Sequence, residues 1–292
     1  MTTVGSSVRP GHSRAGQPGS TGSPAASGVP AVELRGARMA LGERVLWDGL
    51  DLRVDPGEFV AVLGPNGSGK TTLLKVLLGQ RELSEGTARI DGQAPSGRGS
   101  RIGYIPQQRA MELEVPLRAR DLVGLGLDGH RLGIRTGRSR RAQVDAALAE
   151  VGATEYANMP VGRLSGGEQQ RLRVAQALVG DPSVLLCDEP LLSLDLANQR
   201  VVSQLIDQRR TDAATAVLFV THEINPVLPL VDRVLYLVNG QFRVGTAEEV
   251  MTSEVLSELY RTQVDVLRVR DRLVVVGAEG PSGDDVHPGH GS

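Results

Sequence analysis

A glycine-rich segment between an apolar run and a helical run limits the fold of this chain more than any other feature. The strand candidate at 58–63 leads directly into residues 64–71, which read Gly-Pro-Asn-Gly-Ser-Gly-Lys-Thr, and a helical run follows at 71–78. A strand, a glycine loop and a helix in this order are typical of α/β folds. Helix and strand candidates alternate again between 167 and 220, which extends the α/β prediction to the second half of the chain.

This segment has the full pattern of a phosphate-binding P-loop. Its glycines let backbone N–H groups turn inward around phosphate oxygens, and the start of the next helix adds positive potential. Lys70 supplies a compact cation, and the Thr71 hydroxyl is suited to bind Mg²⁺. The chain has two lysines, Lys70 and Lys75. Because lysine is so rare in this chain, its presence at the position that the motif requires favours a phosphate-binding loop over an ordinary glycine-rich turn. The predicted nucleotide-binding residues here are Gly64, Pro65, Asn66, Gly67, Ser68, Gly69, Lys70, Thr71 and Thr72.

An apolar strand candidate at 184–187 ends in two acidic residues, Asp188 and Glu189. A carboxylate at the tip of such a strand is suited to hold Mg²⁺ through water, which predicts that role for Asp188. Glu189 is then placed to polarise an attacking water as general base. Many buried strands end in an acid, so this pattern gains its value from lying downstream of the P-loop in one α/β body.

Residues 164–170 read Leu-Ser-Gly-Gly-Glu-Gln-Gln and lie about twenty residues before the acidic strand. Ser165 is suited to cap a helix, and the two glycines let N–H groups approach an anion. The stretch resembles the signature motif of ABC ATPases, in sequence and in its distance from the acidic strand. The resemblance implies that Ser165, Gly166 and Gly167 contact the γ-phosphate of a nucleotide bound by a second subunit.

Three further positions complete the resemblance to ABC ATPases. Gln107 resembles the Q-loop glutamine, Asp195 the D-loop aspartate at the dimer interface, and His222 the switch histidine that contacts the γ-phosphate. Each has an ordinary explanation when taken singly, but all six motifs occur once and in family order from 64 to 222. The resemblance implies a Mg²⁺ set of Thr71, Gln107 and Asp188, and the catalytic residues Glu189, His222 and Gln107.

One position departs from the family pattern. ABC ATPases usually carry an aromatic residue upstream of the P-loop that stacks on adenine, and Leu41 occupies that place here. Leucine packs on a base without π-stacking, which is worth about 1–3 kcal/mol per base in nucleic-acid systems. We therefore expect weaker and less adenine-selective nucleotide binding, and we interpret the single tryptophan, Trp47, as a packing residue.

Composition narrows the function further. The 292 residues suffice for one large domain, and a net charge of −2 with 3% aromatic residues argues against nucleic-acid binding. The single cysteine, Cys187, excludes an internal disulfide and is interpreted as a small buried hydrophobe. No run of eighteen uncharged apolar residues occurs, so no transmembrane helix is expected.

The chain divides by composition into a body and two tails. Residues 1–30 and 277–292 are rich in Gly, Ser and Pro and are expected to be disordered. For residues 31–276, the resemblance implies an α/β P-loop NTPase core with an antiparallel β subdomain and an inserted helical subdomain at about 108–165. Strand candidates include a second pair, 86–90 and 102–105, a hairpin around Asn239–Gly240, and a closing hairpin within 264–276.

Two C-terminal stretches, 221–237 and 249–260, resemble the subfamily that energises zinc or manganese import. The resemblance implies a homodimer that binds ATP and Mg²⁺, sits on an integral membrane permease at the cytoplasmic side of the membrane, and is served by an extracytoplasmic metal-binding protein. Iron-chelate and vitamin B12 importers share this layout and remain an alternative. A soluble ABC ATPase of DNA repair or translation fits less well, because the chain has one motif set and no heptad run or cysteine cluster.

Overall fold

The computed structural model describes residues 28–96, 101–107, 117–128 and 137–277, and it has the predicted α/β fold. The strands are β1 Val32–Leu41, β2 Arg44–Val54, β3 Phe59–Leu63, β4 Glu85–Ile90, β5 Ile102–Ile105, β6 Val184–Asp188, β7 Ala216–Val220, β8 Arg233–Val238, β9 Gln241–Gly245, β10 Asp265–Val269 and β11 Arg272–Val276. The helices are α1 Lys70–Leu77, α2 Ala119–Asp128, α3 Gly137–Glu150, α4 Gly166–Leu178, α5 Leu196–Ala213, α6 Ala247–Val250 and α7 Ser253–Tyr260.

A six-stranded sheet in the order β5-β6-β7-β3-β8-β9 forms the centre of the molecule. Its first five strands run parallel, and β9 pairs antiparallel with β8. Every residue of β3, β6 and β7 is buried, as expected for parallel strands covered on both faces. Neighbouring strands whose carboxyl ends share one edge bring the loops after them together.

Alternate residues of the central strands supply two separate hydrophobic cores. Phe59 and Phe219 point to one face, with ring centroids 5.5 Å apart, and pack with residues of α2 to α7. Val60 and Val220 point to the other face and pack with α1, β1 and β2. The strand period of two therefore decides which residues face α2 to α7 and which face α1 and the smaller sheet.

The smaller sheet is antiparallel and has the order β2-β1-β4, which confirms the predicted antiparallel subdomain. The pairing predicted for 86–90 and 102–105 is wrong. β4 pairs with β1, whereas β5 pairs in parallel with β6, with Ile105 opposite Cys187. The two strands therefore belong to different sheets, and sequence adjacency gave no sign of that separation.

The helical subdomain contains α2 and α3, which both pack against α4. The apolar spacing of α3 buries Val144, Ala147 and Leu148, and Gly152 follows the helix with a φ of +66°. No helix in the described ranges has the length and apolarity needed to cross a bilayer. Most of the two tails predicted to be disordered, and residues 108–116 of the insertion, lie outside the described residues.

Both predicted hairpins are present in the C-terminal part of the described chain. Asn239 and Gly240 both have positive φ angles, 50° and 80°, in the two-residue turn between β8 and β9. β10 and β11 pair antiparallel around a turn in which Arg270 has a φ of 55°. Among the described helices, α6 and α7 were not predicted, whereas α2 lies in the insertion at about 108–165 that was predicted to be helical.

Candidate nucleotide-binding site

Four loops with predicted functional residues leave the central sheet at neighbouring positions. Gln107 follows β5, Asp188 and Glu189 stand at the end of β6, and His222 follows β7. Loop 64–69 follows β3 and leads to Lys70 and Thr71 at the start of α1. These strands are adjacent in the order β5-β6-β7-β3 and run parallel, so their loops share one edge. We call this group of residues the catalytic edge. Ligands of open α/β sheets bind at such an edge.

The P-loop depends on glycine at two positions where side chains cannot fit. Gly64 has a φ of +140°, and a Cβ there would overlap the carbonyl oxygen of Leu237. Gly69 has a φ of +102°, and a Cβ there would stand 2.8 Å from Nε1 of Trp47. Trp47 is fully buried behind the loop, in agreement with its interpretation as a packing residue. The backbone can therefore curl tightly enough to surround an anion.

Lys70 is held inside the loop that precedes it. Its Nζ donates hydrogen bonds to the carbonyl oxygens of Gly64 at 2.6 Å and Pro65 at 3.0 Å. The residue is 6% exposed, and burial lowers the pKa of Lys70 although the charges of Glu189 and Asp188 oppose this effect. Among the described residues, no side chain caps the N-terminus of α1. Its first N–H groups and the Lys70 cation fit a phosphate group.

Thr71 and Asp188, both predicted Mg²⁺ ligands, are in direct contact. The Thr71 hydroxyl donates to Oδ1 of Asp188 at 3.2 Å, and Asp188 is 4% exposed. Burial raises the pKa of Asp188, while the hydrogen bond from Thr71 and the charge of Lys70 act in the opposite direction. A hydroxyl and a carboxylate are oxygen ligands of the kind that Mg²⁺ prefers, so this pair fits the ion.

Tyr104 is a neighbour of Asp188 that sequence reasoning missed. It lies on β5, and burial, followed by the charge of Asp188 and a hydrogen bond to it, raises the pKa of Tyr104 to about 12. The only available signal was its place three residues before Gln107. Gln107 itself is exposed, and in the described part of the chain it makes no hydrogen bond to Asp188 or Glu189.

Glu189 and His222 form a close pair beyond the strand ends. Their Oε2 and Nδ1 atoms are 2.7 Å apart, so a carboxylate at Glu189 places the proton on Nδ1 of His222. Glu189 has a φ of +48°, which is uncommon for a residue other than glycine, and its N–H donates to the Val220 carbonyl at 3.0 Å. A cavity of about 80 Å³ adjoins both side chains and has room for water.

Ser165 begins α4 with a complete capping box. The N–H of Glu168 donates to Oγ of Ser165 at 3.3 Å, and the N–H of Ser165 donates to Oε2 of Glu168 at 2.7 Å. Hydrogen bonds from the Ser165 side chain and backbone lower the pKa of Glu168. This reciprocal cap is the arrangement that the spacing of serine and glutamate predicts.

Asn198 joins the signature segment to the predicted D-loop. A Cβ at Gly167 would overlap the Asn198 side chain, so the glycine allows α4 and α5 to meet closely. Asp195 caps α5 by accepting from the N–H and Nδ2 of Asn198, each at 2.8 Å. The backbone and then the side-chain bond from Asn198 lower the pKa of Asp195. We call Ser165, Gly166, Gly167, Asp195 and Asn198 the signature surface.

Leu41, the departure from the family pattern, lies at the end of β1 and is 40% exposed. Its cross-strand partner is Arg44, whose Nη2 donates to the Gly67 carbonyl at 3.0 Å. The β1–β2 turn therefore borders the P-loop, and Leu41 is available to a ligand bound there. Arg44 is a neighbour of the loop that the sequence did not indicate.

Comparison with known proteins identifies the family. A family model described as ABC transporter matches residues 47–192, half of the chain. The manganese transport system ATP-binding protein MntB of Bacillus subtilis is 32% identical, over 84% of this chain and 98% of that protein. The zinc transport system ATP-binding protein TroB of Treponema pallidum is 34% identical, over 74% and 81%. An aliphatic sulfonates import ATP-binding protein, SsuB 1 of Pseudomonas fluorescens, is 40% identical, over 72% and 74%.

Solved structures of ABC transporter proteins are also similar to this chain. An ABC transporter assigned to the metal-chelate type, in an inward-facing conformation, matches with a TM-score of 0.72 and 25% identity, over 84% of this chain and 96% of that one. The cassette MJ0796, in a dimeric post-hydrolysis state with ADP and phosphate, matches with a TM-score of 0.63 and 29% identity, over 74% and 98%. This chain belongs to the ABC transporter family and is one of its ATP-hydrolysing subunits.

Proposed function

We propose that this chain is the ATPase of a divalent-metal importer and that it works as a homodimer in which each ATP lies between two copies. One observation carries the proposal: the predicted site residues fall into two groups, the catalytic edge and the signature surface. At the catalytic edge Thr71 contacts Asp188 and Glu189 contacts His222. On the signature surface Ser165 contacts Glu168, and Gly167 and Asp195 adjoin Asn198. The signature surface is then available to a nucleotide held by a second copy.

In this mechanism, the P-loop backbone and Lys70 hold the β- and γ-phosphates. Thr71, Asp188 and Gln107 would hold Mg²⁺, which offsets charge on those phosphates when it is bound. Glu189 orients the attacking water and accepts its proton, and His222 holds that carboxylate through the 2.7 Å contact. The N-terminus of α4, with Ser165, Gly166 and Gly167, stabilises charge on the γ-phosphate from the other copy.

Closure of the pair would expel water from the site and complete it. Helices α2 and α3 of the helical insertion pack on α4, the helix that Ser165 caps. Movement of α4 against the bound phosphate would therefore carry the insertion with it. We propose that this insertion contacts an integral membrane permease at the cytoplasmic side, with an extracytoplasmic metal-binding protein supplying the cargo.

The manganese and zinc relatives support a metal cargo. Residues 221–237 and 249–260 of this chain also resemble the subfamily that energises zinc or manganese import. The MntB relative in Bacillus subtilis is matched over 98% of its length, which includes its C-terminal part. A sulfonate importer is a second candidate, because the SsuB 1 relatives reach 38–40% identity. Reconstitution with the permease distinguishes them, since only the true cargo and its binding protein will stimulate hydrolysis.

Replacement of Glu189 by glutamine tests the proposed ATPase mechanism. Because the amide cannot accept a proton, we expect hydrolysis to fall by about 10²–10⁴-fold. ATP binding and ATP-dependent pairing should persist, because Lys70, Thr71 and the signature surface are unchanged. Sedimentation with ATP and Mg²⁺ measures pairing, and phosphate release measures turnover. Near-normal turnover in Glu189→Gln would remove this residue from the mechanism.

A further inference from the structure

The C-terminal hairpin, β10 and β11, has one apolar face that the rest of the described chain leaves open. Leu267, Val269, Val274 and Val276 are 52%, 55%, 42% and 49% exposed. Alternate residues of the same strands, Val266, Leu273 and Val275, pack against the hydrophobic core. Because side chains alternate across a strand, the four exposed residues lie together on the outward face. We call them the hairpin face.

The register of the hairpin makes this face continuous. Leu267 lies opposite Val274, so these two side chains form its centre. Asp265 pairs with Val276 at one end, and Val269 pairs with Arg272 at the other, next to the turn. Single exposed apolar residues are ordinary, whereas a contiguous patch of four on one sheet face is typical of a contact surface.

Asn225 attaches this hairpin to the loop that carries His222. Its Nδ2 donates to the Leu273 carbonyl at 2.9 Å, and its Oδ1 accepts from the Leu273 N–H at 2.8 Å. Asn225 comes three residues after His222, and His222 contacts Glu189. The position of β11 is therefore tied through one amide side chain to the loop that borders the proposed catalytic residue.

We propose that the hairpin face docks against the same face of a second copy when ATP draws two copies together. Asp265 and Arg272 lie on this face at opposite ends and carry opposite charges. If two hairpins stack with their turns pointing in opposite directions, each Asp265 lies near Arg272 of the partner subunit, and the two Leu267 side chains meet at the two-fold axis. The face is thus complementary to itself, as a symmetric contact requires.

The size of the face explains why pairing would depend on ATP. A stable interface buries about 800 Å² on each partner, which is more than four aliphatic side chains provide. The hairpin contact must therefore add to a larger one, and the ATP-bridged pair of the proposed function supplies it. The inference rests on that proposed function. Through Asn225, the docked hairpins would hold the His222 loop of both copies in place.

The first experiment measures pairing in the Glu189→Gln background, which retains ATP. Leu267→Glu places two like charges at the two-fold axis, so we expect the dissociation constant of the ATP-bound pair to rise at least tenfold. ATP binding by the single copy should be unchanged. Leu125→Glu is the matched control, because Leu125 is 49% exposed on α2, away from the hairpin. We expect it to pair as the parent does.

A second experiment detects the contact between the two hairpins directly and does not depend on a weakened pair. Because stacked sheets lie about 10 Å apart, too far for a direct disulfide, a short bis-maleimide should crosslink Leu267→Cys between the two copies, and only with ATP. Arg268→Cys is the control, since that side chain is exposed on the neighbouring position of β10 and points away from the face. The native Cys187 is fully buried and will not compete.

The outcomes separate the inference from the proposed function. Undiminished pairing of Leu267→Glu, with no ATP-dependent crosslink of Leu267→Cys, would overturn the inference alone. Equal crosslinking of Leu267→Cys and Arg268→Cys would also overturn it, because random collision explains such a result. If the parent Glu189→Gln protein fails to pair with ATP, the proposed function falls and the inference falls with it.

Discussion

The catalytic edge and the signature surface are built in opposite ways. The catalytic edge contains buried charges, Lys70 and Asp188, whose pKa values are moved toward the neutral forms by burial. It also contains Glu189 at a φ of +48°. On the signature surface, hydrogen bonds favour the charged forms of Glu168 and Asp195 and lower their pKa values.

This difference shows which region of the chain contains features that lower its stability and suit it to bind a ligand. Buried charges and a left-handed backbone at Glu189 are unfavourable without a ligand, and they lie where phosphate and metal would bind. The signature surface consists of capped helix ends that are stable in a single copy. One half of the site is thus arranged for its ligand in advance, and the other half is an ordinary folded surface that a second copy can use.

The largest difference between the two regions is expected for alanine at their glycines. Gly64→Ala forces a Cβ into the Leu237 carbonyl at a left-handed φ, so we expect the free energy of unfolding to fall by at least about 3 kcal/mol. Gly167→Ala displaces the Asn198 side chain from its bond to Asp195, but alanine favours the helix, so we expect a net change below about 1 kcal/mol. Urea unfolding measures both.

ATPase activity provides a second test of Gly167→Ala. We expect Gly167→Ala to bind ATP as a single copy but to hydrolyse it slowly, because the methyl group keeps the helix N–H groups away from the phosphate. Equal losses of stability in both variants would show that the two regions do not differ in the way described.

The next largest effect concerns His222. His222→Ala removes the contact that holds the Glu189 carboxylate, so we expect kcat to fall by about 10²-fold with little change in ATP affinity. Asn198→Ala, on the signature surface, should lower the rate less, since it removes a support of Asp195 and no group at the catalytic edge. Steady-state kinetics compare the two, and a larger loss in Asn198→Ala would reverse the assignment.

A moderate gain is expected at Leu41, which borders the P-loop. Leu41→Tyr restores a ring where the family has one, and stacking is worth about 1–3 kcal/mol per base, so ATP affinity should rise about tenfold and selectivity over GTP should increase. Leu41→Ile is the control without a ring. An affinity for ATP that stays the same in Leu41→Tyr would contradict the interpretation of Leu41.

The smallest effect is a stability change at the capping box. Ser165→Ala should cost about 1 kcal/mol, the usual value for a lost N-cap. Because the folded pKa of Glu168 is lowered, its contribution is present above its ordinary pKa of 4.5 and is lost as pH falls through the folded pKa. Ser165→Ala should therefore lose part of this acid dependence. Unfolding curves at neutral and acidic pH measure it, and parallel curves would contradict it.

The sequence predicted those parts of the site that lie within single motifs. The P-loop, the acidic end of β6 and the Ser165 cap depend on residues a few positions apart, and their local geometry follows from residue type. Thr71 and Asp188 were both assigned to one Mg²⁺, an assignment that requires them to lie close together. Their side chains are 117 residues apart in sequence and 3.2 Å apart in space.

Contacts that depend on packing between elements were not predictable. Tyr104 reaches Asp188 because β5 and β6 are neighbours, and the sequence instead suggested that β5 pairs with β4. Asn198 meets Gly167 only because α4 and α5 are close. Arg44 and Asn225 likewise bond to backbone carbonyls of distant segments, which leave no pattern in the side chains of those segments.

Mixing two inactive variants tests the shared site most directly. In the Glu189→Gln background, Lys70→Ala damages only the catalytic edge, and Ser165→Arg damages only the signature surface. Each variant alone has no complete site, but a mixed pair has one, formed by the intact P-loop of one copy and the intact Ser165 helix of the other. We predict that the mixture traps one ATP per mixed pair. Failure of the mixture to trap ATP, or trapping by either variant alone, would contradict the account.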